Sequence, residues 1–185
     1  MKGGVIVSGK TIEGHRKVHK KEVAMPMLKR LQEYLDAHKI SYQLLGHPEA
    51  YTASEVAHTL HISGKMLAKV VIVKTGEQFV MAVLPSNWKV DFERLTDVVG
   101  GGQVRLATEG ELKELFPDCG VGAMPPFGNL YGLEVFVDQS LTEDEEIVFQ
   151  AGTHLGAMKL RYQDFADLVH PTVANFHQVA GIRER

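Results

Sequence analysis

The feature that most limits the folds open to this chain is a pair of apolar segments, Lys69-Val-Val-Ile-Val-Lys74 and Phe79-Val-Met-Ala-Val-Leu84, separated by Thr75-Gly76-Glu77-Gln78. β-Branched residues dominate the first, and the glycine in the short link predicts a β-hairpin. Neither segment alternates apolar with polar residues, so both faces of the ribbon must be covered. That places the hairpin in the middle of a sheet with other elements on its two sides. The 185 residues suffice for one domain with a proper core and are short for two.

The surroundings of the hairpin read as helices and short strands in turn. After Pro26, Met27, Leu28, Leu31, Tyr34, Leu35 and His38 fall on one helical face. Tyr42 to Gly46 reads as a strand. Thr52 and Glu55 form a capping-box signature ahead of the stripe Ala53, Val56, Ala57 and Leu60, with Ser63-Gly64 as the stop. A helix follows over 91–98, then Gly100-Gly101-Gly102 and a strand over 104–107. Thr108 and Glu111 make a second capping box, for a helix ended by Pro117. Strands are expected over 133–137, 146–149 and 158–162, a helix over 164–169, and a helical tail after Pro171. Several links are hairpin-short rather than crossover-length, which favours an α+β fold with a mixed sheet over a doubly wound parallel one.

Composition removes several function classes. With 44% hydrophobic and 23% charged residues the chain is globular rather than disordered. No apolar run approaches the roughly 20 residues that span a bilayer, and Val5 to Val7 is too short for the core of a signal peptide. Cys119, the single cysteine, makes neither an internal disulfide nor a metal framework. The chain reads as a cytoplasmic protein without a membrane partner. Its net charge of −3 is unevenly spread. Residues 1–30 carry eight basic side chains against Glu13 and Glu22, so the rest is strongly acidic in balance. Such a basic arm attracts phosphates locally without making the whole molecule cationic.

Each candidate motif competes with a plainer explanation. Gly4-Val-Ile-Val-Ser-Gly9-Lys10-Thr11 fits the P-loop expression, yet only three residues precede it and no apolar stripe follows to anchor a helix. It reads as a chance match, and Asp138, after the apolar run from Leu133, is a weak magnesium partner for it. His58 and His61 lack the third and fourth ligands a zinc site needs. No metal and no cofactor is expected, and the absence of G-x-S-x-G argues against an α/β-hydrolase. Lys69 stands at the start of an apolar strand, suited either to snorkelling or to placing a point charge in a cleft. Gly120-Val-Gly122-Ala123-Met124-Pro125-Pro126-Phe-Gly128 reads as a rigid loop whose backbone N–H groups could reach a ligand, or as a stiff connector. Ala151-Gly152-Thr153-His154 offers a hydroxyl and an imidazole, or a simple β-turn.

Taken in order, Tyr51-Thr52-Ala, "LAKVVIVK", "VLPSN", "GAMPPFG", "AGTH" and "MKLRYQDF" resemble the YbaK/prolyl-tRNA synthetase editing-domain family over roughly residues 27–170. The resemblance implies a mixed, partly barrel-like β-sheet surrounded by helices and a cleft that binds the aminoacylated 3′ acceptor end of a tRNA. It implies a stand-alone aminoacyl-tRNA deacylase that hydrolyses the ester of mischarged tRNA in trans. Lys69 matches the family's functional lysine, Gly122 to Pro126 its G-x-x-x-P loop, and Gly152, Thr153 and His154 a turn lining the cleft. Tyr51 and Thr52 join the expected substrate-binding set.

An aminoacyl ester is already activated, so orienting a water and stabilising an oxyanion suffices without a catalytic triad. Alanine, serine, threonine and cysteine are open as the amino acid edited, and an aminoacyl-tRNA synthetase as a second partner. The competing expectation is a non-catalytic module that binds a tRNA end or another small ligand on the same fold. The expected organisation is a basic extension over 1–25, the editing domain over 26–170 and a tail over 171–185.

Overall fold

In the computed structural model, which describes residues 27–178, the hairpin is the centre of a five-stranded sheet. The elements run α1 (Lys29–Ala37), β1 (Gln43–Gly46), α2 (Ala53–Thr59), β2 (Ala68–Thr75), β3 (Gln78–Pro85), α3 (Phe92–Val98), β4 (Val104–Leu106) and α4 (Glu109–Leu115). Then come β5 (Glu134–Asp138), β6 (Glu146–Thr153), β7 (Gly156–Arg161), α5 (Tyr162–Val169) and β8 (Thr172–Ala174), with 3-10 turns at Gly128–Tyr131 and Gln139–Glu143. β2 and β3 pair antiparallel from Ala68 opposite Pro85 to Thr75 opposite Gln78. Gly76, at φ 57°, lets the two-residue link turn back on itself.

The sheet order is β4-β2-β3-β5-β8, with β5 parallel to β3 and β8 parallel to β5. Coverage of both hairpin faces follows as the apolar pattern requires. On one face Ile72, Met81, Val83, Val135 and Val137 pack with Leu31 and Leu35 of α1, Phe165 of α5, Phe127 and Phe149. On the other, Val73, Val80, Ala82 and Leu84 pack with Leu95 of α3, Phe136 and Phe176. Both capping boxes form: Thr52 with Glu55 at α2 and Thr108 with Glu111 at α4. Asp91 caps α3 by accepting from the Glu93 and Arg94 N–H groups.

β1, β7 and β6 form a second, antiparallel sheet. One parallel bridge, Leu67 to Val148, joins it to the first, with Val148 N–H donating to Met66 O at 3.0 Å. The fold is the mixed α+β arrangement the sequence predicts, in two sheets that do not close into a barrel.

Three local expectations are corrected. α2 stops at Thr59, ahead of Ser63-Gly64, because His61 takes the left-handed conformation at φ 53°. β6 does not end at Phe149; it continues through Ala151, Gly152 and Thr153 with a register irregularity, and the turn falls at His154-Leu155. The segment after Pro171 is not helical over its described part. It forms β8 and then buries Phe176 completely. Gly4–Thr11 and the basic extension lie outside the described residues.

Candidate functional site

Lys69 opens β2 where the hairpin meets the seam between the two sheets. Its Nζ donates to the Trp88 carbonyl and, at 3.5 Å, to the Ser86 carbonyl. These acceptors belong to the turn after β3, which is itself tied down: Ser86 N–H donates to Gly64 O at 2.9 Å and Leu67 O at 2.7 Å. Burial pushes the Lys69 ammonium below the usual lysine range, and the charge of Lys89 adds to the effect. Among the described residues no carboxylate pairs with it; both acceptors are neutral.

A small cavity of about 150 Å³ lies against Lys69, walled also by Ala53, Leu67, Gly122, Met124 and Gln150. Besides Leu67, just ahead of β2, its contributors come from four places. α2 brings its first residue, β2 brings Lys69, β6 brings Gln150, and the loop before β5 brings Gly122 and Met124. The loop is docked on β6 by backbone hydrogen bonds: Gly120 N–H donates to Gly152 O and Gly152 N–H to Ala123 O, both at 2.9 Å. Gly152 sits at φ 97°, and a Cβ there would lie 2.8 Å from Leu28 Cβ. Only glycine lets the loop, the end of β6 and the start of α1 meet so closely.

Within the loop, Gly122 N–H points to the Met124 sulfur at 3.2 Å. A thioether is a weak acceptor, so a better oxygen acceptor can take that N–H over. Ala123 is wholly buried, and Pro125 and Pro126 are buried behind the loop, stiffening it from the core side rather than lining the cavity.

Next to Gly122 the surface rises into an aromatic rim. Tyr51, 61% exposed, lies with its ring 4.7 Å from that of His154, tilted by 42°. His154 Nδ1 hydrogen-bonds to Ala50 O at 3.2 Å. Thr52 is occupied as the cap of α2, its hydroxyl accepting from Glu55 N–H. Thr153 lies at the end of β6, outside the cavity wall. The structure therefore brings Lys69, Gly122 and Met124 together around one cavity, places Tyr51 and His154 on its rim, and gives Thr52, Pro125 and Pro126 supporting positions.

Gln150 and the Ser86 and Trp88 carbonyls have no signature in the sequence. Gln150 is found only once β6 is known to run past Phe149; its Nε2 donates to Ala50 O at 3.4 Å. Asp138, weighed above as a magnesium partner, is fully occupied as a hydrogen-bond acceptor. It receives Ser140 N–H at 3.0 Å, Ser140 Oγ at 2.6 Å, Phe176 N–H at 2.9 Å and His177 Nδ1 at 2.9 Å. Burial alone would raise its pKa, and these donors more than reverse that. Cys119 has its thiol pushed up by burial and pairs with the Tyr131 hydroxyl at 3.2 Å, the opposite of an activated nucleophile. Among the described residues no cluster of three or more His, Cys, Asp or Glu could hold a metal ion, and no helix is long and apolar enough to cross a membrane.

Known proteins resemble this chain in sequence and in fold. The family description "aminoacyl-tRNA editing domain" matches residues 47–168. The multifunctional Ser/Thr-tRNA deacylase ProXp-y of Escherichia coli is 30% identical over 154 residues, covering 80% of this chain and 89% of that protein. A proline–tRNA ligase of Bacillus cereus is 28% identical over 94 residues, 51% of this chain but only 16% of the ligase. A crystal structure described as a candidate trans-editing enzyme for prolyl tRNA synthetase superposes with a TM-score of 0.72 at 22% identity, over 83% of this chain and 98% of that one, a likeness of fold.

Proposed function

The chain belongs to the aminoacyl-tRNA editing domain family, and on that premise we propose that it hydrolyses, in trans, the ester of tRNA mischarged with a small amino acid. The observation that carries the reading is Lys69: a half-buried ammonium whose partners among the described residues are two neutral carbonyls, on the wall of a cavity shared with the loop at Gly122. A cation so placed offers its charge to an incoming anion or developing oxyanion instead of spending it on a carboxylate within the protein.

The division of labour follows from size. A cavity of this volume accommodates about one benzene, or roughly six heavy atoms, which suits a small aminoacyl group and not an adenosine. The amino acid enters the cavity, and the terminal nucleotide stays on the rim. There the exposed Tyr51, backed by His154, offers the kind of aromatic face on which unpaired bases stack. Lys69 anchors the phosphate or sugar of that nucleotide. Gly122 N–H, leaving its sulfur partner, binds the aminoacyl carbonyl. The neighbouring ribose hydroxyl helps activate the water, so no protein nucleophile is required.

Selection among alanine, serine, threonine and cysteine is by fit, and one methylene is worth only about 1–3 kcal/mol in such a pocket. Serine and threonine, the amino acids in the name of the Escherichia coli relative, are the first substrates to try. The basic extension over 1–25 adds phosphate attraction, and a synthetase that hands over the charged tRNA completes the set of partners. Removing residues 1–25 leaves the cleft working while weakening tRNA affinity, most at low salt and less as salt rises.

The test is deacylation of tRNAs charged with alanine, serine, threonine or cysteine by the wild-type protein and by Lys69→Ala. Hydrolysis of one or two members, lost in the variant, is the expected result. Binding of tRNA without turnover of any member would instead identify a non-catalytic module.

A further inference from the structure

The acceptors that hold Lys69 are braced by a distant part of the chain, residues 176–178. Trp88, whose carbonyl receives the ammonium, lies between β3 and α3, and this stretch is stitched to residues 176–178 by backbone contacts. Asp91 N–H donates to Phe176 O and Gln178 N–H to Lys89 O, both at 2.8 Å, while Val90 bridges to His177. The side chains add a second layer. The His177 ring lies 4.5 Å from the Trp88 ring at a 41° tilt, and its Nδ1 is 2.9 Å from the buried Asp138 carboxylate. Asp138 is held in turn by Ser140 and the Phe176 N–H. A continuous path therefore runs from β5 through His177 and Trp88 to the ammonium at the cavity. Its bracing residues, Phe176 and His177, lie beyond residue 168, where the family match ends.

The geometry points to His177 as a positioning residue for Lys69: its ring, packed on that of Trp88, fixes Trp88 so that the Trp88 carbonyl holds the ammonium at the cavity. A lysine stem has four rotatable carbons, and a charge left to wander over them is poorly placed for a developing oxyanion. Neutral acceptors of fixed position confine the charge without cancelling it. The inference rests on the reading of Lys69 as the substrate-anchoring group.

Two conservative replacements separate this role from a merely structural one. His177→Phe keeps a ring against Trp88 and loses the Asp138 contact; His177→Gln keeps a donor for Asp138 and loses the ring. Each is assayed on whichever mischarged tRNA of the four-member panel the full-length wild-type protein hydrolyses fastest, alone and combined with Lys69→Ala, alongside thermal melting. The expected result is that His177→Gln lowers kcat/KM about 10-fold and His177→Phe stays within about threefold of wild type. In the Lys69→Ala background neither should change kcat/KM by more than about twofold, the non-additivity of groups acting through one another.

A structural role for the His177–Asp138 hydrogen bond predicts the reverse ranking, with His177→Phe the weaker in melting and in activity. That ranking, or losses that multiply with Lys69→Ala, would overturn the positioning role alone. A wild-type protein inactive on all four tRNAs, or an undiminished Lys69→Ala, would overturn the functional reading and this inference with it.

Discussion

Lys69 and Lys74 stand five residues apart on one strand, and their surroundings differ in kind. Lys74 has a carboxylate partner, Glu77 at 3.6 Å, and lies 5.4 Å from the centre of the Phe79 ring. Lys69 has two backbone carbonyls, a neighbouring Lys89, and a cavity. The first arrangement satisfies a charge; the second holds one in place and leaves it uncompensated. Near the surface an ion pair of the Lys74 type is worth little to stability, whereas a half-buried cation without a counter-ion lowers stability and is kept for what it binds. The position of a lysine in a strand says little about its role. The identity of its acceptors says much more.

The sharpest way to break this contrast is to remove each lysine in turn. Lys69→Ala should lower kcat/KM for the hydrolysed aminoacyl-tRNA by about 100-fold or more, the scale of losing one charge-stabilising donor, with the fold intact by circular dichroism. Lys74→Ala should stay within about twofold. Equal effects from the two would end the comparison.

Next in size is Gly152→Ala, which asks whether the Lys69 end of the strand depends on the docked loop. The added Cβ collides with Leu28 and occupies a left-handed backbone, so the protein should lose about 2 kcal/mol of stability, read as a fall of several degrees in Tm. Deacylation should fall with it, because the hydrogen bonds between Gly152 and the loop residues Gly120 and Ala123 hold Gly122 at the cavity.

A smaller effect concerns pH. The Lys69 pKa is depressed by burial, so the group loses its proton at lower pH than an ordinary lysine, near 10.4. Binding of uncharged tRNA should therefore weaken on the alkaline side before an ordinary lysine would titrate, and Lys69→Arg should move that decline upward. For stability the sign is opposite in sense. A lysine whose folded pKa lies below its unfolded value destabilises the folded state fully at neutral pH, and the penalty lifts as pH rises through the folded pKa toward the unfolded one. Lys69→Met should consequently leave Tm at pH 7 unchanged or slightly raised. A clear drop would mean that the carbonyl contacts outweigh the cost of burying the charge.

The contrast between the two lysines also marks how far the sequence could be read. The hairpin, both capping boxes and the apolar face of α1 are local patterns, set by residues within a few positions of each other, and they form where the pattern puts them. Lys69 could be singled out because a charge opening an apolar strand is conspicuous. Its acceptors could not, since a backbone carbonyl has no letter of its own and His177, whose ring packs on Trp88, lies far along the chain. Ala151-Gly152-Thr153-His154 looks like a turn because glycine suits turns. In the folded chain Gly152 instead serves a close approach inside β6, and Gln150 is thereby carried to the cavity wall. β8 is three residues long, Thr-Val-Ala, too short for any periodicity, and its pairing with β5 is decided by Phe176 filling the far side of the sheet.

That late strand has a consequence for the order in which the protein becomes competent during synthesis. A ribosome adds about 5–20 residues per second and domains begin folding from the N-terminal side, so the hairpin with Lys69 is exposed to solvent well before residues 172–178 exist. The Trp88 stretch is pinned by Phe176 and Gln178, and a nascent chain lacking them holds the lysine on a turn tied at Ser86 but not braced beyond Trp88. Parallel pairing of β8 with β5 also closes a long-range contact of the kind that forms slowly. The cleft is thus finished last, and a chain interrupted shortly before this strand would carry every residue that lines the cavity without the support that sets them.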